Sequence, residues 1–566
     1  MSVTIINSNY KITDIDNHFK ISAGPGAGKT YWLVNHLKNI IHNSEKLSIT
    51  RKVACITYTN IAVETIISRI GNASTHAEIS TIHSFLYKHI VKPYVAFIAE
   101  DYGLDVSKMD GHDDMILSNY SFLNDWKDRT NQKHIRDDQA VINAFKKLQW
   151  KVENNDLVVR TPYPFRVGKY LIKNDSYFEY KKMTWEKGLV HHGDVLFFSF
   201  HIIKKFPFVI NVLYSKFPYL IVDEFQDSNP IQIEILKKLG QGGIYIGVIG
   251  DYAQSIYGFQ GADYSQFNSF SLPNIKYYTL NENRRSSNEI IDLLNYLRKD
   301  ITQVKFLNFS DEKPKIFIGD MVLALKKAKK LCGDESVNTL SRDNITSNAM
   351  KAEINGIGLN SKLLEELVVT DKPSSNNKYR SKIIISCIKA VAYARENKFS
   401  DAMKELIKLL NYKTDNTEGK KKALEYLTIL LKNFEDYKDK SLLEFSEFVK
   451  KHIDSNITKV TRGEVKVFYE KYSFKQLSMC VSIPEDLSLH KTIHKAKGDE
   501  FNNVLLILNE EKDLEFLINT DLLNNEEQRI NYVAISRAKK RLFISVPKLD
   551  SSKHTKINDY FDIENI

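Results

Sequence analysis

One octapeptide constrains this chain more than any other stretch. Ala23-Gly24-Pro25-Gly26-Ala27-Gly28-Lys29-Thr30 follows the short apolar run Phe19–Ser22. Small residues in such a turn let backbone N–H groups close around phosphate oxygens. The lysine then reaches the β/γ-phosphates of a nucleotide, and the threonine hydroxyl reaches magnesium. Ala23 stands where the pattern ordinarily has its first glycine. A plain glycine-rich turn before a helix is the alternative, and it leaves the Gly-Lys-Thr ending after a strand unaccounted for.

A phosphate loop needs a second element to hold metal and activate water. Tyr219–Val222 reads as a buried strand, and Asp223-Glu224-Phe225-Gln226-Asp227 follows at its carboxyl end. Adjacent carboxylates in that place divide the work, Asp223 toward Mg2+ and Glu224 toward the attacking water. An Asp-Glu pair alone is usually a solvated loop; the apolar strand before it and the phosphate loop upstream give it meaning. A third strand candidate, Ile244–Ile249, runs into Gly250-Asp251 and then Tyr252 to Ala262, including Gln254-Ser255-Ile256-Tyr257-Gly258-Phe259-Gln260.

The chain has 566 residues, which predicts three or four units rather than one core. Its 43% hydrophobic and 27% charged residues are those of a folded protein. The formal charge of +10 suits a polyanionic partner, although a chain of this size carries such a surplus without one. Cys55, Cys332, Cys387 and Cys480 lie far apart, which argues against a zinc module or a disulfide framework and predicts a reducing, cytoplasmic setting. Met1–Lys20 has no apolar signal core, and Val195–Ile203 is too short to span a bilayer.

Alternating strands and helices predict α/β layers from about Phe19 to Phe85 and from Asp194 to Leu280. A second such region begins near Asn281, with strand candidates Lys315–Ile318, Val337–Leu340, Val504–Leu508 and Leu542–Val546. Two segments of different character interrupt them. Tyr102–Lys187 is charged and aromatic, with Trp126, Trp150 and Trp185. Thr346–Ile483 is lysine-rich with helical period: Met403, Leu406, Ile407 and Leu410 form one apolar stripe, and Leu424, Leu427 and Leu431 another. The run Lys372–Asn377 reads as a loop within it.

In chain order the motifs resemble those of UvrD, Rep and PcrA helicases, of superfamily 1. After the phosphate loop come Ile56-Thr57-Tyr58-Thr59-Asn60-Ile61-Ala62, Ser80-Thr81-Ile82-His83-Ser84-Phe85, the Asp-Glu-Phe-Gln-Asp box and the Gln-Ser-Ile-Tyr-Gly-Phe element. Asn283-Arg284-Arg285-Ser286, Thr492–Phe501 and Tyr532–Ala538 complete the series. The resemblance implies an α/β fold of two RecA-like P-loop motor domains, with parallel sheets flanked by helices. Each would carry a mainly helical inserted domain. The implied division is 1–98 with 188–280 for the first motor domain and 99–187 for its insertion. It is 281–345 with 484–566 for the second, and 346–483 for the helical insertion. It implies an ATP- and Mg2+-dependent motor moving 3′→5′ on single-stranded DNA. Lys29, Glu224, Gln254, Arg285 and Arg537 would be catalytic, the two arginines acting on the γ-phosphate. Residues 23–30, Arg284 and Glu500 would contact ATP, and Thr30 and Asp223 the metal. Tyr58, Asn60, Thr81, His83, Tyr257, Phe259, Thr492 and His494 would contact DNA, the aromatics by stacking.

The chain departs from the family pattern in four places. No glutamine motif for adenine is visible before Phe19. Arg284 stands where a base-stacking tyrosine is usual, Phe259-Gln260 replaces a Trp-Arg pair, and Asp499 replaces leucine. With its compact length and its Asn-Arg-Arg-Ser element, the chain also resembles the helicase-like component of Gabija anti-phage systems, which works with an OLD-type TOPRIM nuclease. A general repair helicase and a DNA-sensing regulatory ATPase with little unwinding are the alternative expectations.

Overall fold

The computed structural model describes residues 3–566 except 110–115, 118–119, 262–263, 355–359, 373–378, 411–415 and 485–486. The loop expected at Lys372–Asn377 therefore lies almost wholly outside the described residues. The chain forms two compact units. The first comprises Met1–Arg284 with two later segments, Arg298–Leu307 and Leu522–Arg529; the second comprises Arg285–Leu297, Asn308–Asp521 and Ile530–Ile566.

The first unit is built on strands β1 (Val3–Ile6), β2 (Phe19–Ala23), β3 (Val53–Thr57) and β4 (Ala77–Thr81). Between β4 and the rest of the sheet lie two hairpins, β5 (Gln149–Glu153) with β6 (Asp156–Arg160) and β7 (Arg166–Val167) with β8 (Tyr170–Leu171). The sheet resumes with β9 (Tyr219–Val222), β10 (Tyr245–Gly250) and β11 (Lys276–Leu280). Its seven strands run parallel in the order β1-β11-β2-β10-β9-β3-β4. Central strands buried on both faces read as unbroken apolar runs, as Tyr219-Leu220-Ile221-Val222 does. Parallel order places the carboxyl ends of β2, β9 and β10 side by side. The phosphate loop, the Asp223–Asp227 box and the Asp251–Gly258 element leave from those ends.

The segment between β4 and β9 is mainly helical, with the two short hairpins set among its helices. It holds helices Tyr120–Arg129, Asp138–Phe145 and Asp175–Trp185 beside the two hairpins. The β5–β6 turn uses Asn154 and Asn155, both at positive φ (51° and 58°), which matches the twist a two-residue hairpin needs. The Trp126, Phe145 and Tyr180 rings pack together there, and the Trp126 indole N–H donates to the Ser176 carbonyl at 2.8 Å.

Short strands β12 (Glu282–Asn283) and β13 (Val304–Lys305) pair in parallel within the first unit. The second unit has its own parallel sheet of β14 (Lys315–Ile318), β15 (Val337–Ser341), β16 (His490–Thr492), β17 (Phe501–Ile507), β18 (Ala538–Val546) and β19 (Asp562–Asn565). Their order is β16-β15-β17-β18-β14-β19. Between β15 and β16 the chain is helical and closes a separate core around Ile384, Leu406, Leu430, Phe445 and Tyr469. Arg380 and Asp371 pair inside it at 2.6 Å, with the Tyr469 hydroxyl donating to the same carboxylate at 2.7 Å.

One expected stripe is corrected. On helix Thr417–Lys432 the buried face is Ala423, Leu427 and Leu430, while Leu424 points outward. The leucine spacing had two solutions on this helix, and packing against the neighbouring helices selects the one centred on Leu427. Leu427→Ala should cost about 2–5 kcal/mol of stability. Leu424→Ala should stay within about 0.5 kcal/mol. Urea unfolding of the two variants measures the contrast.

His36 lies on helix Lys29–Asn43, directly behind the phosphate loop, stacked on Trp32 (centroids 4.6 Å apart) with the Phe19 ring edge-on at 5.0 Å. Burial pushes its imidazole down from 6.5 to about 3. A depressed folded value means the native state binds fewer protons than the unfolded chain below pH 6.5. This contribution to stability is therefore complete above that pH and is lost as the pH falls toward 3. His36→Leu should flatten the decline of Tm between pH 7 and pH 5 relative to the wild type, read by thermal unfolding at each pH.

Candidate nucleotide and DNA sites

Backbone conformation just past β2 gives the phosphate loop its shape. Gly26 and Gly28 take positive φ (72° and 78°), a conformation open to glycine at no steric cost. Helix Lys29–Asn43 begins at Gly28 with no side-chain cap, so its first N–H groups face the loop without an intramolecular side-chain acceptor. Ala23, the residue in place of the usual glycine, is the last residue of β2 and fully buried. Strand geometry there suits alanine, so the substitution leaves the loop itself intact. The Arg284 backbone N–H donates to the Gly26 carbonyl at 2.9 Å.

The carboxylates sit beside this loop. Asp223 is 6% exposed, and its Oδ1 has no hydrogen-bond partner. Burial, with Glu224 adjacent, pushes its carboxyl up to about 7. A buried, charge-starved oxygen of this kind is what a hard divalent cation relieves, so Asp223, with the half-buried Thr30 hydroxyl, fits Mg2+. Glu224 has φ 49° and ψ 41°, a left-handed conformation that costs a non-glycine residue about 1–3 kcal/mol. It aims the carboxylate at Lys29 Nζ, 3.5 Å away. The Gln226 amide donates to Glu224, and its Oε1 accepts from the Asp251 N–H at 2.9 Å. Gln254 is buried, and its amide donates to Asp251 Oδ2 at 2.6 Å. Lys29, Glu224, Gln226, Asp251 and Gln254 are thus linked by one chain of bonds, with Asp223 beside Glu224.

The expected DNA-contact residues of this unit also gather. The Tyr58 and Tyr257 rings stack at 5.0 Å with 18° between planes, and Phe259 meets Tyr257 at 5.9 Å while 62% exposed. Asn60 opens helix Asn60–Ile70, capped by Thr59, and Thr81 caps the next helix through Ser84. His83 stacks on His192, 3.6 Å between centroids. Burial and the neighbouring imidazole push His83 down to about 3, so both rings are neutral at physiological pH.

In the second unit, Arg285 donates to Glu500 through Nε (2.9 Å) and Nη2 (2.6 Å), and through Nη1 to the Ser536 carbonyl (2.7 Å). Lys539 reaches the other oxygen of Glu500 at 3.2 Å. Arg537 is buried and donates to the Val533 carbonyl. Arg285, Glu500 and the Ser536–Arg537 turn are therefore brought together. Thr492 is buried at the end of β16, with His494 in the turn beyond it. Asp499, the residue in place of leucine, pairs with Lys491 at 2.8 Å.

Two family descriptions match this chain in tandem. The UvrD/REP helicase N-terminal domain covers residues 7–273, and the UvrD-like helicase C-terminal domain covers residues 270–548. The chain belongs to the UvrD/Rep helicase family. Its two parallel sheets with flanking helices are the RecA-like halves of that family. Similar proteins include the Gabija protein GajB of Bacillus cereus, 26% identical over 52% of this chain and 49% of that protein. A probable DNA helicase II homologue of Mycoplasma genitalium is 24% identical over 93% of this chain and 82% of its own length. The ATP-dependent DNA helicase PcrA of Bacillus subtilis is 26% identical over 53% of this chain and 39% of that protein. The chain thus spans about half the length of GajB and less of PcrA in these matches. Among the described residues, no single helix is long and apolar enough to cross a membrane.

Reading the motifs of this UvrD/Rep-family chain missed several residues. His192 was one; its only sequence signal is the His191-His192-Gly193-Asp194 run opening an apolar helix. Asp194 was another. Fully buried, it accepts from the Trp150 and Trp185 indoles (both 2.9 Å) and the His191 N–H (3.0 Å), and pairs with Lys181 at 2.8 Å. Burial alone would raise this carboxyl; Lys181 and His191 hold it well below the usual carboxylate range. Asp194 thereby fixes the helix start that presents His192 to His83. Asp194→Ala should cost about 3–5 kcal/mol, because it leaves Lys181 buried without its counter-charge. Urea unfolding measures it, and a loss below about 1 kcal/mol would show that the ion pair is dispensable.

Proposed function

We propose that this chain is an ATP-hydrolysing motor that translocates 3′→5′ on single-stranded DNA. The observation carrying this reading is the chain of bonds from Lys29 through Glu224, Gln226 and Asp251 to Gln254, with the buried Asp223 beside it, at the carboxyl edge of one parallel sheet. Lys29 binds the β/γ-phosphates, Asp223 and Thr30 hold Mg2+, and Glu224 accepts a proton from the attacking water. The bound metal would supply charge neutralisation on the phosphates. Gln254 senses the γ-phosphate, while Arg285 and Arg537 stabilise the charge that develops on it. Arg285 would then exchange Glu500 for phosphate, releasing Glu500 to hold the ribose. Arg284 lies against the base. Tyr58, Tyr257 and Phe259 form the stacking surface for DNA bases, flanked by Asn60, Thr81, His83, Thr492 and His494.

The likeness to GajB supports a second, finer reading: work in anti-phage defence with an OLD-type TOPRIM nuclease as partner. Phe259-Gln260 favours weak unwinding, since the position after the stacking aromatic carries no charge for a DNA phosphate. Nicked or tailed duplex offered to the chain alone and with the co-expressed nuclease separates this role from general repair.

Lys29→Ala should abolish DNA-stimulated ATPase activity. Glu224→Gln should retain ATP binding while turnover falls by about 10²–10⁴. Steady-state phosphate release and fluorescent-nucleotide binding report the two effects. Turnover in Glu224→Gln within about tenfold of wild type would remove Glu224 from the base role.

A further inference from the structure

The segment Arg298–Leu307 clusters with the first unit, although the chain on both sides of it belongs to the second. It carries none of the motifs read from the sequence. It is anchored by β13 on β12, by the Val304 N–H on the Asn281 carbonyl (2.7 Å) and by the Phe306 N–H on the Asn283 carbonyl (3.2 Å). Two of its polar side chains, Arg298 and Gln303, are almost wholly buried, and each ends on a part of the ATP cluster.

Arg298 pairs with Asp251 Oδ1 at 2.6 Å, both side chains at or below 2% exposure. Asp251 Oδ2 is the atom that receives the Gln254 amide. The guanidinium also grips Asp300 with two bonds, 2.7 and 2.9 Å, and Asp300 accepts from the Tyr252 hydroxyl at 3.0 Å. Arg298 is therefore clamped between two carboxylates on either flank of the Asp251–Gln254 turn. Its planar fork fixes the Asp300 carboxylate while Nη1 meets Asp251 as an ion pair, a combination that a lysine's single ammonium cannot reproduce.

Gln303 acts at the other end of the strap. Its amide donates to the Pro25 carbonyl at 2.7 Å, and its Oε1 accepts from the buried Asn283 amide at 3.2 Å. A Cβ built on Gly24 would lie 2.4 Å from Gln303 Nε2. The outer side of the phosphate loop is thus closed by this amide, and a side chain at position 24 would have to displace Gln303 from the Pro25 carbonyl. A loop whose N–H groups face phosphate must direct carbonyls the other way, and a buried carbonyl needs a donor.

We propose that Arg298 and Gln303 are positioning residues of the ATP site. Arg298 sets the Gln254 amide through Asp251, and Gln303 holds the phosphate loop at Gly24–Pro25. The inference rests on the ATPase reading given above, and it assigns to one ten-residue strap the alignment of both the phosphate cradle and the γ-phosphate sensor.

The two residues predict different kinetic signatures. In Arg298→Lys, kcat should fall about 10–100-fold, with KM for ATP within about threefold of wild type, because the sensor is displaced while the cradle is intact. In Gln303→Ala, KM for ATP and the Kd for a fluorescent ATP analogue should rise about tenfold together. Gly24→Ala should weaken nucleotide binding further than Gln303→Ala does, and adding Gln303→Ala should bring affinity back to the level of Gln303→Ala alone, since the clash is then gone. Asp300→Asn, at a partly exposed position, gives a milder version of the Arg298 effect should Arg298→Lys fail to fold.

A purely structural role would lower Tm in each variant and leave kcat, KM and Kd of the folded protein unchanged; that result overturns the proposal. So does failure of Gln303→Ala to rescue Gly24→Ala. If the wild type binds the analogue without turning ATP over, the ATPase reading fails by itself, and the binding and rescue arms still decide the role of Gln303. If the wild type binds no nucleotide, both readings fall together.

Discussion

Asp223, Glu224 and Asp251 stand at the carboxyl ends of the adjacent strands β9 and β10, where water is largely excluded. Three negative charges in such a place repel one another and cost solvation, so each must be met by a partner or a proton. Asp251 has Arg298 and the Gln254 amide; Glu224 has Lys29 and the Gln226 amide. Asp223 Oδ1 alone among them lacks a hydrogen-bond partner, and its carboxyl is pushed up to about 7. The arrangement leaves an electrostatic deficit at that oxygen, and it links Lys29, Glu224, Gln226, Asp251 and Gln254 into one chain of bonds.

That chain of bonds is completed by segments distant in sequence. Arg298 and Gln303 come from the strap after helix Asn288–Leu297. The segment Leu522–Arg529 also docks on the first unit: the Arg529 guanidinium donates to the Ser255 carbonyl at 2.8 Å, and Glu526 accepts from the Gly258 N–H at 2.8 Å. The Asp251–Gly258 turn is thus held from two sides by later parts of the chain. Ala253 and Ile256 are fully buried within it, and buried hydrogen bonds to charged groups complete the positioning.

The departures from the family pattern acquire local explanations. Arg284 lays its guanidinium 3.6 Å from the centroid of the Phe306 ring, with Nε on Glu282 at 3.0 Å. A planar cation seated on an aromatic ring and held by a carboxylate is a rigid flat group beside Gly26 and Gly28, the property a stacking tyrosine would otherwise supply. Ser8 donates to the same Glu282 carboxylate, so the residues before β2 touch this corner although they carry no glutamine motif. Asp499 in place of leucine exchanges an apolar contact for the Lys491 ion pair.

Local sequence determined the strands, the phosphate loop and the left-handed glycines, because those depend on apolar runs, chain sterics and residues one to four positions apart. It also ordered the motifs along the chain, and with them the family. Tertiary structure alone decided that Leu427 rather than Leu424 faces the helical core, that Asp194 gathers two tryptophans and a lysine, and that Arg298 and Gln303 reach Asp251 and Pro25. Each of those outcomes depends on which distant groups share a desolvated space. Burial makes an unpaired charge or carbonyl costly, and no spacing rule along a single chain records where its partner will be found.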